Sequence, residues 1–362
     1  MKSFIRQEIA LPAGLLTLLF FKTLGSDLLA ETTPLAVYLP VSLALLAIVT
    51  WAIFSVVRHS DALAIKLGEP FGTLILTLSV ISLEVVMISS VMLTGDPNPT
   101  MARDTMFAVV MLVTNGLVGF TLLFGGWRYH TQNFNLDGVK SYLVAIIPLA
   151  LLCLVLPNFT QGGTLGSLSK AMSWMLIIIS ILLYGVFLLI QTRSHSHFFV
   201  DSDHEDHHGP LQSNVYHTLL LLAYLVVVIL LAKTLAIPIN YGVHVMEAPM
   251  ALGGFIVACI VLAPEAVGAI KAAFNNQLQR AMNLYFGSVL ATIALTVPSV
   301  LFIGSLMGQE VRLGLSPADM VLLITTLMVC KVTFSSGRTH ALHGATHLVL
   351  FVVYLFLMFE HG

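Results

Sequence analysis

Two carboxylates lie where the surrounding residues make them expensive. Glu84 sits near the middle of FGTLILTLSVISLEVVMISSVM (71–92), and Glu265 sits in an apolar run over 248–270. Each run is long enough to cross a bilayer core, which takes about 20 helical residues. A charged side chain at the centre of such a helix costs at least about 2.5 kcal/mol on insertion scales, so a carboxylate there marks an ion or proton pathway. Two of them brought together near the midplane would form a hard, oxygen-rich metal site for Ca²⁺ or Na⁺, with Glu84 and Glu265 as ligands. They would titrate as a coupled pair, so cation and proton would compete for the same oxygens. A site that crosses only when loaded with one or the other performs antiport.

Neutral oxygens are expected to complete that shell. Ser82 and Ser79 precede Glu84 by two and five residues, a spacing that reaches one site only if the helix is broken. Pro264, directly before Glu265, removes a backbone donor and frees a carbonyl one turn earlier, which suits a helix break. Asn115 in TNGLVGF and Ser288 in FGSVLAT are the polar residues of the runs that follow each glutamate. The competing reading of these small polar groups is interhelical packing.

The elements that must position these groups follow from composition. The chain has 362 residues, 57% hydrophobic and 9% charged, with mean hydropathy +0.95. A soluble domain is nearer a quarter charged, so the reading is an all-α polytopic membrane protein. Apolar runs near 11–31, 35–57, 72–93, 105–126, 141–157, 171–191, 216–236, 248–270, 284–306, 318–336 and 342–360 give about 11 transmembrane helices. Barrel strands would instead alternate over about ten residues. With the N-terminus cytoplasmic, ten Lys and Arg residues of the connections lie inside, and Arg103, Lys170 and Arg312 lie outside. Lys22 interrupts the first run and no clear cleavage site follows it, which favours an uncleaved helix in a bacterial inner membrane. Cys153, Cys259 and Cys330 each fall inside an apolar run and read as packing residues.

An internal repeat is expected. Residues 1–34 form an extra N-terminal helix, 35–191 and 216–362 two five-helix halves, and 192–215 a polar cytoplasmic linker. Five is odd, so the halves would insert as inverted repeats, the plan of many secondary transporters. Gly72 precedes Glu84 by twelve residues and Gly253 precedes Glu265 by twelve; Arg103 and Arg280 stand likewise before Asn115 and Thr292. The linker holds His204, Glu205, Asp206, His207 and His208, whose donors suit a regulatory cation site or simply a solvated tether. His340, His343 and His347 share one face of the last helix, either as a proton path or as polar residues of a helix end.

The stretches LGEPFGTLILTLSVISLEVV (67–86), TNGLVGFTLLFGG (114–126), LAPEAVGAIKAAFNNQLQRAMNLYFGSVLATIALTVP (262–298) and FSSGRTHALHG (334–344) resemble the cation/proton exchanger family of the calcium/cation antiporter superfamily. The likeness is strongest to its bacterial calcium (sodium, potassium)/proton antiporter branch and covers nearly the whole chain. It implies the eleven-helix inverted-repeat fold, essential glutamates at Glu84 and Glu265, and donors at Asn115 and Ser288. Many members carry Gly-Asn where this chain has Val80-Ile81 and Val261-Leu262, and Asn and Glu where it has His340 and His343. Fewer amide oxygens leave room for Na⁺ or K⁺ beside Ca²⁺.

The function expected is therefore export of Ca²⁺, and of Na⁺ or K⁺, in exchange for H⁺ by alternating access. A Na⁺(K⁺)/H⁺ antiporter with little Ca²⁺ transport is the first alternative. A cation channel fits less well, since channels build filters from subunit rings. An intramembrane enzyme would need a nucleophile motif or an HExxH-type metal site, and the chain carries neither. A metal sensor would work through the His/acidic linker. No phosphate-cradling loop is present, so the expected cofactors are none and the partners are inorganic cations, protons and the lipid bilayer, with no nucleic acid.

Overall fold

The computed structural model describes residues 8–68, 71–93, 98–160, 164–199 and 212–360. Among them the chain is almost wholly helical, as it must be where no water satisfies backbone groups. The helices are α1 (Ala10–Thr23), α2 (Leu35–Leu67), α3 (Phe71–Leu93), α4 (Met101–Tyr129), α5 (Leu136–Leu154), α6 (Lys170–Ser194), α7 (Asn214–His244), α8 (Met250–Phe274), α9 (Leu278–Met307), α10 (Pro317–Thr333) and α11 (Ala341–Glu360). Nine of these are long and apolar enough to cross a membrane; α1 and α10, with 14 and 17 residues, are shorter. The protein is an all-α integral membrane protein.

Helix boundaries depart from the apolar runs for local reasons. The first run was expected to reach residue 31, but α1 stops at Thr23, and a 3₁₀ turn at Ser26–Leu29 follows Gly25. α2 continues ten residues past the expected end, because Arg58, His59, Asp61 and Lys66 extend it beyond the apolar stretch. α7 likewise runs through Pro238 to His244.

Packing divides the chain into two compact units, 1–98 with 207–264 and 99–206 with 265–362, each drawing helices from both sequence halves. In the first unit α2, α3 and α7 pack mutually, and α1 lies against α2 and α7. Tyr38 of α2 stacks on Tyr241 of α7 with ring centroids 4.0 Å apart.

In the second unit α4 packs along α11, α9 lies against α5 and α6, and α10 against α11. The α4–α11 approach is backbone to backbone: a Cβ on Gly344 would lie 2.2 Å from the Leu123 amide nitrogen. A short antiparallel ladder pairs Gln132 with Thr339 and Asn133 with Arg338, tying the end of α4 to the start of α11.

Two helices of this unit widen internally. α4 has a π-helical turn at Met111–Leu117 and α9 one at Thr292–Thr296. The second lies just before Pro298, whose missing N–H and ring clash disturb the preceding turn. Such π-bulges recur at functional positions.

Candidate ion-binding helices

In the first unit, Glu84 is 2% exposed, in the middle of α3 and surrounded on its helix by Ile81, Leu83, Met87 and Ile88, all buried. α3 is unbroken over Phe71–Leu93. Consequently Ser82 does not share a site with Glu84. It is exposed on another face, and its hydroxyl donates to the Leu78 carbonyl 2.6 Å away. Ser79 is buried but donates to Ile75 of its own helix. Two residues turn a regular helix through about 200°, so the Ser82 expected as an ion ligand projects from a different face of α3 than Glu84.

α8 also differs from the expected break. It continues through Pro264 as one helix, although the Ile260 carbonyl lacks the amide donor that residue 264 would have supplied. Glu265 belongs to the second unit, where it is half-buried and its Oε2 accepts a hydrogen bond from the Ser288 hydroxyl of α9. The structure thus brings together two residues singled out in the sequence. The Ser288 hydroxyl, itself buried, orients the carboxylate.

Asn115 is 0% exposed, within the π turn of α4. Its Nδ2 donates to Thr326 Oγ1 (2.8 Å) and Met111 Sδ (3.3 Å), and its Oδ1 lies 3.1 Å from His347 Nδ1. His347 Nε2 lies 3.0 Å from Thr333 Oγ1. Asn115 is therefore engaged with α10 and α11, and its π turn packs against the α9 segment that carries Ser288. Thr326 and Thr333 had not been anticipated. Their spacing of seven places both on one face of α10, a signal that polar residues in an apolar helix could have provided.

A further cluster in the first unit went unread. Glu8 Oε2 accepts from Arg58 (2.8 Å), Tyr224 (3.0 Å) and His59 Nε2 (3.2 Å), and Oε1 accepts from Tyr216 (3.1 Å). His59 Nε2 lies between Glu8 Oε2 and the Arg58 guanidinium, 3.3 Å from the latter, and its Nδ1 lies 3.0 Å from His217 Nδ1. Burial alone would raise the Glu8 pKa. The Arg58 charge and the hydrogen bonds from His59 and Tyr224 outweigh it and hold the carboxyl below its ordinary value.

Among the described residues no three His, Cys, Asp or Glu side chains are grouped to hold a metal ion. His204, Glu205, Asp206, His207 and His208 of the linker lie outside the described residues. The linker's leading end is docked: the Phe199 ring meets Tyr142 and Phe187, and Gln279 donates to the Phe198 carbonyl.

The family model described as sodium/calcium exchanger protein matches residues 37–193 and again 216–360. The chain is 47% identical over 344 residues to the sodium-potassium/proton antiporter ChaA of Escherichia coli K12, covering 91% of each protein. It is 39% identical to the putative ionic transporter y4hA of Sinorhizobium fredii, over 86% of each. Among solved structures, native YfkE superposes with a TM-score of 0.75 at 19% identity, over 98% of this chain and 99% of that one.

Proposed function

Because this chain belongs to the sodium/calcium exchanger protein family, we propose that it is a cation/proton antiporter exporting Ca²⁺, Na⁺ or K⁺ in exchange for H⁺. The observation that carries the reading is the placement of a glutamate inside each of two apolar helices, one oriented by a serine hydroxyl from the next helix. Glu84 and Glu265 are the carboxylates that exchange cation for proton, and Ser288 supplies a neutral oxygen beside Glu265. Each glutamate must be neutralised by a cation or a proton for its surroundings to tolerate it in an apolar setting. That requirement couples the two fluxes with no further machinery. The halves 35–191 and 216–362 act as inverted repeats behind an extra N-terminal helix, the N-terminus faces the cytoplasm, and the membrane is the bacterial inner membrane.

A second reading, monovalent exchange with little Ca²⁺ transport, is favoured by one feature. The positions before each glutamate, Val80-Ile81 and Val261-Leu262, are buried and apolar and offer no side-chain oxygen. Ca²⁺ takes six to eight oxygen ligands and suffers most from that loss. The test is ion-dependent proton flux in proteoliposomes across Ca²⁺, Na⁺ and K⁺. A ΔpH that collapses on addition of cation supports antiport, and the order of the three ions separates the readings. No response to any of them would overturn both.

A further inference from the structure

A cavity of about 520 Å³ lies between the start of α6 and the end of α9. It falls wholly within the second unit, at the end of α6 opposite the one that feeds the linker. From α6 it is lined by Lys170, Ser173, Trp174 and Ile177, the spacing of a single helical face. The same spacing recurs on α9 from Leu301 through Gly304 and Ser305 to Gly308.

The chain beyond α9 completes the wall. Gly308 takes a left-handed conformation (φ 66°) that ends the helix and turns the chain back on itself. Val311 then lies over Gly304, where a Cβ would stand 2.6 Å from its Cγ2. An antiparallel bridge between Ser167 and Arg312 holds the two loops together.

The lining is apolar at depth and polar at the helix ends. Ile177 and Leu301 are buried, whereas Lys170, Ser305 and Gln309 are exposed at the mouth and Ser173 is half-buried behind them. Among the described residues Lys170 makes no ion pair, and the side chains of Ser173, Ser305 and Gln309 make no hydrogen bond. Glu310, also in the lining, is already engaged by Arg312 at 3.2 Å and by the Thr164 hydroxyl. That pair is neutral overall, so Lys170 is the uncompensated charge among the described lining residues. An ammonium ligand would need an open carboxylate, and Glu310 is taken. A free cation beside two hydroxyls and a carboxamide instead suits a phosphate group.

The surface around the mouth separates a lipid phosphate from a diffusible one. Trp174 and Phe302 meet edge to face with centroids 6.1 Å apart, and both are about half exposed. Amphipathic aromatic rings concentrate where a bilayer meets water. Leu306 and Met307 extend the exposed apolar surface beside them. A free anion gains nothing from such surface, whereas acyl chains attached to the phosphate would cover it.

We propose that this cavity binds the headgroup of an anionic phospholipid. Lys170 meets its phosphate, Ser173, Ser305 and Gln309 supply neutral donors, and the acyl chains run along Trp174 and Phe302. Bound there, the lipid ties the end of α9 to α6. The site is separate from both glutamates, and its occupancy does not depend on which ion the protein exchanges.

The test is native mass spectrometry and thermal unfolding of the detergent-purified full chain, titrated with phosphatidylglycerol, phosphatidylcholine or inorganic phosphate. Phosphatidylglycerol is expected to fill one site per chain and to raise Tm with concentration, since a ligand of the folded state alone stabilises it. K170Q should weaken that binding by about tenfold, as the loss of one charged hydrogen bond does. S305F, which places a ring in the mouth, should remove it. K140Q is the control: Lys140 is an exposed lysine at the start of α5, away from the cavity, and its variant should bind as wild type does. Equal protection by phosphatidylcholine would mean that headgroup charge is not read. Equal protection by inorganic phosphate would make the ligand a free anion. Either result overturns the proposal, and so does unchanged phosphatidylglycerol binding in K170Q. Should S305F fail to fold, K170Q against K140Q decides.

Discussion

Glu84 is 2% exposed in an unbroken apolar helix, whereas Glu265 follows a helical proline, is half-buried and accepts a hydrogen bond from Ser288. Shielding of this kind makes Glu84 intolerant of change in length and charge. Polar support and partial access leave the Glu265 carboxylate oriented yet with more room to adjust. The two carboxylates thus sit in unlike surroundings.

The largest expected effect ignores that difference. Glu84→Gln and Glu265→Gln should each abolish cation-driven proton flux while the protein still reaches the membrane, because neither amide can exchange a proton for a cation. Normal transport by either variant would remove that glutamate from the mechanism.

Shortening each side chain should expose the contrast. Glu265→Asp is expected to retain exchange with a raised cation KM, since the partly open site can adjust. Glu84→Asp should behave like Glu84→Gln, because close-packed neighbours leave a retracted carboxylate no way to follow. Equal behaviour of the two aspartates in proteoliposome kinetics would erase the distinction.

The serines give a smaller effect. Ser288→Ala removes a hydrogen bond to a charged group, worth about 1.5–3 kcal/mol, and should raise cation KM roughly tenfold or more. Ser82→Ala, on the exposed face of α3, should leave KM unchanged. If the two alanine variants exchange places in this ranking, the hydrogen bond at Glu265 is not what organises the site.

The smallest effect concerns a carboxylate outside the spans. Glu8 is held charged by Arg58 and its hydrogen bonds, so its folded pKa lies below the ordinary 4.5. A depressed carboxyl stabilises the fold above its unfolded pKa and loses that contribution as pH falls through the folded value. Wild-type protein should therefore unfold at a higher temperature than Glu8→Gln at neutral pH. The gap should close below about pH 4.5, while exchange at neutral pH is retained. A gap that widens in acid would contradict the charged state assigned to Glu8.

Much of this was readable from residues alone. Both glutamates were singled out because a carboxylate in an apolar run stands out without any knowledge of the fold. Ser288 and Ser82 were singled out by similar reasoning; the structure brings Ser288 to a glutamate and turns Ser82 to an exposed face. Both are small hydroxyls near a key residue in sequence, and only the continuity of α3 turns Ser82 away. Asn115 was identified, but its partners were not. The π turns of α4 and α9 had no expectation, although Pro298 signals one of them.

The amino-acid sequence by itself determined that the chain is helical, membrane-embedded and provided with two intramembrane carboxylates. Those properties are local: the bilayer demands long apolar stretches and internal backbone hydrogen bonds, and each stretch meets the demand alone. Tertiary structure decided which side chains meet. Glu265 and Ser288 lie 23 residues apart and Asn115 and His347 lie 232 apart. Helix packing sets those meetings, through close approaches such as Gly344 against α4 that no hydropathy pattern encodes.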